Sequence, residues 1–441
     1  MNILVLTNQL PWPPAAGGQA SQFATLKALA NDHKFRIILT DCCSFREADA
    51  QSLEAELPSI TVVRPVFSRA IEKRDFIIKA SLVFKGYFKS IYYKFKTLKK
   101  KEEDRIEEAL DLPVQAERPY FPFNRLSIEV VKSIANNIEW ANLLQAEFHE
   151  TLFTGFLESG RIPKLFICHQ AHGAYTRSFY ESRPQGEVQA SAFHQLIAES
   201  DVKTAIQLES ALMNNFDHIV VFSEQDKKDI HGLDHGKVTV SPFPLPADVK
   251  WINPLDVNFT YDKVVLVGPG HWHPNVEALD WFIKGVWPSL LKNNPTFPLK
   301  LYVVGNWNTH QVEKYQTDSI LFEGFVDDLS AFLQGAISIN PVFTGAGLRT
   351  KLLASAASAS PIVSSSLGAE GTGFIHDQHC LIADDPNLFA TSVNALIHNK
   401  SLGQRLAVMA FQRAQTCFSQ EAVRKKRNYI YSQLMRAASN Q

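Results

Sequence analysis

Two series of short apolar segments, separated by a proline-rich stretch, constrain this 441-residue chain more than any other feature. In the first half, Ile3–Thr7, Phe35–Thr40, Ile60–Val63, Asn142–Phe148, Leu165–Cys168 and His218–Phe222 are rich in Ile, Val, Leu and Phe. Such runs, bounded by polar residues, Gly or Pro, suit strands buried on both faces of a parallel sheet. A helical stretch covers about Ala20 to Asn31, and Ser223-Glu224-Gln225-Asp226 has the pattern of a capped helix start. Pro242-Phe243-Pro244-Leu245-Pro246 then opposes helix and central strand alike and reads as an inter-domain linker. Beyond it the alternation restarts, with strands at Lys263–Val267, Leu299–Val304, Ile320–Phe322, Ile337–Asn340, Pro361–Ser364 and Leu381–Ala383. Helices are expected at about Pro274–Leu291, Asp328–Leu333, Leu348–Ala357 and Asn387–His398, followed by a helical tail from about Ser401 to Ala438. Two successive βα arrays predict an α/β protein of two Rossmann-like, doubly wound domains facing across a cleft. The expected boundaries are residues 1–245 and 246–420, with a C-terminal helix at 421–441 packing back on the first domain.

Length agrees with that division, since one core rarely serves a chain of this size. Charge is balanced, 44 basic against 45 acidic residues, so overall charge gives no reason to expect nucleic-acid binding. Five scattered cysteines without a C-x-x-C pair argue against a disulfide framework or a zinc site and fit a reducing, cytoplasmic setting. Met1-Asn2-Ile3-Leu4-Val5-Leu6 reads as a first strand and not as a signal peptide, and no window approaches ~20 uninterrupted apolar residues.

One insertion, about residues 70–105, departs from the pattern. Between Lys73 and Lys101 there are ten basic residues and one acidic residue, Asp75. Phe84, Phe88, Ile91, Phe95 and Leu98 recur at helical spacing while Lys85, Lys89, Lys96 and Lys100 fall on another side. This amphipathic basic helix has two readings. It docks on its own domain with a solvated lysine face, or it contacts an anionic acceptor or the cytoplasmic face of a membrane as a peripheral foot.

Gly345-Ala346-Gly347-Leu348-Arg349-Thr350-Lys351 carries the sharpest chemistry. A glycine turn entering a helix brings unpaired amides close to an anion. Arg349 and Lys351 place two cations in what reads as the first helical turn, where the helix dipole opposes them unless an anion is near. The pattern therefore points to a phosphate clamp, against the plainer reading of a surface turn with two bases.

Over nearly its whole length, and most strongly from about Lys263 to Pro386, the chain resembles glycosyltransferase family 4, also called group 1, whose fold is GT-B. The resemblance is carried by Gly345–Ser366, by Leu367-Gly368-Ala369-Glu370-Gly371, by Val267-Gly268 with His273-Pro274-Asn275, by Gly324-Phe325-Val326-Asp327-Asp328 and by Asp384-Asp385-Pro386. In the first half, Gly17-Gly18 and the stretch from Leu208-Glu209 to Ser223 resemble the family pattern. The resemblance implies a hexosyltransferase-like enzyme that moves a sugar from a nucleotide-sugar donor to a glycan or lipid-linked acceptor, retaining configuration and needing no metal or cofactor. It further implies that Arg349 and Lys351 bind the donor diphosphate, with Gly345 and Gly347 giving close backbone approach. Gly17 and Gly18 would let the first domain's loop approach the donor phosphate and the acceptor, Gly268 would leave room for the donor, and the Gly324, Phe325 and Val326 backbone would border the base. His169 lies where the family places an acceptor-facing histidine, although a structural histidine at a strand end fits equally. Glu370 orients donor hydroxyls or is simply a helix-start carboxylate. The histidine pairs His169/His172 and His271/His273 lack a carboxylate set at ligand spacing, so no metal is expected.

Ala354 departs from the family, which places a ribose-binding glutamate there, and no Glu occurs between Phe325 and Ala369. Either another residue substitutes, or the chain is a weak or silent GT-B protein that binds nucleotide or glycan or serves as a partner subunit. A dehydrogenase is disfavoured because G-x-G-x-x-G does not follow the first strand, and a serine hydrolase because G-x-S-x-G is absent.

Overall fold

The computed structural model describes residues 1–14, 17–41, 45–64, 119–123, 126–160, 162–181, 192–246, 249–259, 261–345 and 348–439. The basic insertion and Gly347 lie outside the described residues. In the first half, β1 (Asn2–Thr7), β2 (Lys34–Leu39), β3 (Ile60–Val62), β4 (Leu143–Glu147), β5 (Lys164–Cys168), β6 (His218–Val221) and β7 (Val238–Val240) form one sheet. Its order is β3-β2-β1-β4-β5-β6-β7, and every pairing is parallel. Successive residues of β1 feed opposite cores. Ile3 and Val5 join Leu26, Phe35 and Leu143 on one face, while Leu4 and Leu6 join Phe166, Met213 and Val221 on the other. A strand covered on both faces needs a continuous apolar run, which is the pattern seen in the sequence.

The second sheet comprises β8 (Lys263–Val267), β9 (Lys300–Val304), β10 (Ile320–Gly324), β11 (Ile337–Asn340), β12 (Ile362–Ser364) and β13 (Leu381–Ile382). Its order is β10-β9-β8-β11-β12-β13, again all parallel. Strand order reverses between β1 and β4 in the first sheet and between β8 and β11 in the second. Open parallel sheets bind ligands outside the carboxyl ends of strands at such switch points. The glycine turns after β1, β8 and β11 all fall there.

Three local features differ from the sequence expectation. Val238–Val240 is a seventh strand; three residues with a polar centre give too little periodicity to read. The expected helix Pro274–Leu291 is divided: an α-helix at His273–Trp281, a π turn at Phe282–Val286 and a new helix at Trp287–Asn293. Pro288 lacks an amide hydrogen, and the π turn lets it begin a helix instead of interrupting one. The tail is two helices, Lys400–Phe418 and Gln420–Ser439, broken at the extended Ser419.

The last helix lies on the first sheet. Ile430, Tyr431 and Leu434 join the core formed by Leu26, Leu29 and Phe35. Arg424 pairs with Asp32 at 2.7 Å, and Leu245 of the linker donates its amide to Phe418 O at 2.9 Å. Among the described residues, no helix is long and apolar enough to cross a membrane.

Candidate active site

β11 delivers the clamp. Gly345, at φ 95°, turns the chain, and the helix Thr350–Ala357 follows. Arg349 is the residue before that helix, at φ −85° and ψ 82°, and so lies outside the first turn in which the sequence had placed it. From there its guanidinium folds back, Nη2 donating to Gly345 O at 2.8 Å and Nε reaching Leu367 O at 3.4 Å. Lys351 sits in the first turn and donates from Nζ to Asn275 Oδ1 at 2.5 Å. Asn275 is buried, and its amide nitrogen donates to Pro269 O at 2.8 Å. Gly268, at φ 154°, passes directly beneath it; a Cβ there would lie 2.6 Å from the Asn275 amide. The turn after β8 is thus shaped to let Asn275 reach the lysine.

The electrostatics are unbalanced. Neither Arg349 nor Lys351 has a carboxylate within ion-pair distance among the described residues. Burial, then the neighbouring Arg349 charge, lowers the Lys351 pKa to about 8. Burial also lowers that of Arg349, with Glu370 and Asp226 opposing it at longer range. Two desolvated cations without a paired anion are costly unless an anionic ligand completes the site. Glu370 follows the short helix Ser366–Ala369, and burial raises its carboxyl pKa.

The first domain meets this turn directly. Ser178, on the helix His172–Glu181, accepts from the Gly345 amide at 3.1 Å. Leu348 packs against cores of both halves, and the Cβ position of Gly371 lies 3.4 Å from Ser223 Cβ. Asp226, beside Ser223, is buried, and that burial raises its pKa to about 6. Ahead of the clamp, Thr344 donates to Glu277 Oε2 at 2.8 Å.

Gly17 opens the helix Gly17–Leu29 after β1. A Cβ on Gly18 would stand 2.9 Å from Phe148 Cε1, and the Phe148 ring stacks on His169 with centroids 3.9 Å apart. His169 Nε2 meets Glu147 Oε2 at 3.1 Å, and Nδ1 lies 3.4 Å from Ser21 Oγ. Gly18 and His169 therefore share one cluster at the switch point of the first sheet. Gly268, Gly345, Arg349 and Lys351 share another at that of the second, with Glu370 acting on Arg349 through space. Gly324 stands at the end of β10 at φ 66°, held by the Gly305 amide at 2.7 Å. Phe325 beside it is 75% exposed, and Val326 packs on a small core with Val265 and Leu333. This loop makes no hydrogen bond to either cation.

His149, Cys168 and Glu209 form a buried group with ligand-like atoms within 4.8 Å of one another. These atoms already have protein partners. Glu209 accepts from His149 Nε2 at 2.7 Å and from the amides of His172 and Gly173 at 2.8 and 3.3 Å, and Cys168 Sγ donates to Gln170 O at 3.1 Å. Its role is thus to cap the helix His172–Glu181 with a carboxylate. Of the histidine pairs weighed in the sequence, His172 turns toward His149, and His271 and His273 are exposed.

Ser178 and the Thr344–Glu277 pair were not singled out from sequence, and Asn275 was named there only within His273-Pro274-Asn275, without a role. Only Asn275 carried a signal, the Pro-Asn step after the Gly268 turn. Glu147 and Gln145 also had one: polar residues at alternate positions of a strand otherwise made of Leu and Ala.

Residues 262–399 match the family described as glycosyl transferases group 1. An uncharacterized 44.6 kDa protein in the cps region of Klebsiella pneumoniae is 30% identical over 196 residues, which are 41% of this chain and 49% of that protein. The match therefore spans about half of the curated relative's length. Among solved structures, Anabaena HepE in complex with UDP superposes with a TM-score of 0.61 at 12% identity, covering 98% of this chain and 100% of that one. TarM gives 0.60 at 12% identity, with 98% of each chain covered. WaaG, a glycosyltransferase involved in lipopolysaccharide biosynthesis, gives 0.53 at 11% identity, with 98% and 99% covered. The fold of this chain is GT-B.

Proposed function

We propose that this GT-B chain, with its group 1 segment at residues 262–399, is a glycosyltransferase that takes a sugar from a nucleoside-diphosphate donor. The observation that carries this reading is the pair of half-buried, unpaired cations Arg349 and Lys351 at the switch point of the second sheet. A diphosphate there would complete their charge. As the bond from the anomeric carbon to the phosphate oxygen breaks, negative charge grows on the leaving group, and fixed cations stabilise it most at that moment. The acceptor hydroxyl oxygen forms the new bond to the anomeric carbon, and its proton passes to the departing diphosphate oxygen. In this reading Gly17 and Gly18 would let their loop approach donor phosphate and acceptor, Gly268 gives Asn275 and Lys351 their geometry, and the Gly324–Val326 backbone would border the base. UDP is the first donor nucleotide to examine, because HepE is described in complex with it. Retention of configuration, independence of metal, and a glycan or lipid-linked acceptor belong to the same proposal.

Arg349→Ala and Lys351→Ala are each expected to reduce turnover at least about tenfold, the scale of losing one preorganised charge contact to the transition state. Unchanged turnover in both single variants would remove the clamp assignment.

A silent, nucleotide-binding protein is the second reading. Ala354 favours it, being buried and unable to hold a ribose. Calorimetric nucleotide binding without product across an acceptor panel would select it. A cytoplasmic setting is proposed from the free thiols Cys168, Cys380 and Cys417, and a peripheral membrane contact from the basic sequence at 73–101. Full-length protein should then pellet with anionic vesicles and not with neutral ones; equal pelleting removes the membrane contact.

A further inference from the structure

We propose that Glu147 is a positioning residue that fixes the tautomer of His169, leaving Nδ1 as a bare acceptor for a hydroxyl in the cleft. Gln145 and the C-terminal helix hold Glu147 in place. That the hydroxyl belongs to a sugar acceptor rests on the transferase reading; the tautomer does not.

Hydrogen-bond polarity is forced at each step. A carboxylate oxygen accepts, so both groups meeting Glu147 donate to it. One is Gln145 Nε2, at 2.7 Å from Oε1, and the other is His169 Nε2, at 3.1 Å from Oε2. Gln145, having turned its NH2 to Glu147, presents Oε1 to Tyr431, whose hydroxyl donates at 2.7 Å. The chain Tyr431, Gln145, Glu147, His169 therefore runs in one direction. It begins on the helix Gln420–Ser439 and ends beside Gly18.

His169 consequently carries a hydrogen on Nε2. Burial disfavours the charged ring, so Nδ1 keeps a lone pair. The nearest hydroxyl does not fill it, because Ser21 Oγ gives its only proton to Gly18 O at 2.8 Å and stands 3.4 Å from Nδ1. Phe148 stacked on one ring face and Phe222 edge-on at 4.9 Å keep the ring from turning. Gln145, Glu147 and Tyr431 are nearly solvent-free, at 1%, 4% and 0% exposure, so the polarity is not dissipated into water. Arg427, one turn before Tyr431, is 1% exposed and adds positive potential beside Glu147. A structural network alone would need these contacts but no unfilled acceptor at its end.

Full-length protein labelled with 15N-histidine supplies the test. The resonances lost in His169→Asn identify the ring, and they are expected to show protonated Nε2 and bare Nδ1. Glu147→Gln, which can donate as well as accept, is expected to move part of the population to the Nδ1–H form. The same variant should lower transfer at least about tenfold. Its UDP affinity should stay within about twofold of the parent, because the clamp belongs to the other sheet. A wild-type His169 protonated on Nδ1, or a tautomer unchanged in Glu147→Gln, overturns the proposal. Should Glu147→Gln fail to fold, the wild-type spectrum decides alone. Failure of the parent protein to bind UDP would count against the donor reading while leaving the tautomer assignment intact.

Discussion

Lys351→Met is expected to weaken nucleotide binding roughly a hundredfold and, in the same protein, to stabilise the ligand-free state. The ammonium is desolvated and stands beside a second cation, and its pKa falls to about 8 from an ordinary 10.5. A folded-state pKa below the unfolded one means that the folded protein binds the proton more weakly. At pH 7 the lysine is charged in both states, and holding that charge costs folding free energy on the order of 1–3 kcal/mol. As pH rises from about 8 to about 10.5, the folded state releases the proton while the unfolded state keeps it, and stability rises. Methionine keeps much of the side-chain length without the charge. The melting temperature of Lys351→Met should therefore exceed that of the parent at pH 7, and the difference should shrink toward pH 10. Nucleotide affinity should fall by roughly a hundredfold, comparable to the loss of one preorganised charge contact. A variant less stable than the parent at pH 7, yet still binding nucleotide, would mean that the lysine is structural.

Gly268→Ala should also weaken the nucleotide site strongly, although the residue carries no functional group. At φ 154° an L side chain is strained, and the new Cβ would fall 2.6 Å from Cγ and Nδ2 of Asn275 and 2.7 Å from its Oδ1. Asn275 is 2% exposed and already bonded to Pro269 and Lys351, so it cannot move aside without releasing the lysine. The expected result is a stability loss on the order of 1–3 kcal/mol together with at least about a tenfold loss of nucleotide affinity. Gly160→Ala is the control. Gly160 shares a positive φ, 62°, but a Cβ there meets nothing within 4 Å. It should cost stability through strain alone and leave affinity unchanged. Equal affinity in Gly268→Ala and the parent would separate the β8 turn from the ligand site.

The architecture was largely legible in the sequence because both sheets are parallel and covered on two faces. Strands such as Ile3–Thr7 and Lys263–Val267 must be continuously apolar, and the helices between them differ in period. What escaped depended on contacts between distant residues. Tyr431 meets Gln145 across 286 positions, and no local periodicity encodes such a pair. Ser178 reaches Gly345 across 167 positions for the same reason. The two cations were visible as residues, but the position of Arg349 before the helix depends on its backbone angles, which a sequence window does not specify. Gly268 was recognised as a glycine that makes room. In the structure a Cβ there would meet Asn275, a contact the sequence did not suggest.

The most direct measurement is a calorimetric titration of UDP, at pH 7 with a chelator present, into the parent protein and into an Arg349→Ala/Lys351→Ala double variant. GDP, ADP and dTDP should be run in parallel. If the clamp holds a donor diphosphate, the parent binds at least one nucleoside diphosphate with one-to-one stoichiometry, and the double variant binds it at least about a hundredfold more weakly. No binding of any of the four by the parent, or equal binding by both proteins, would contradict the assignment.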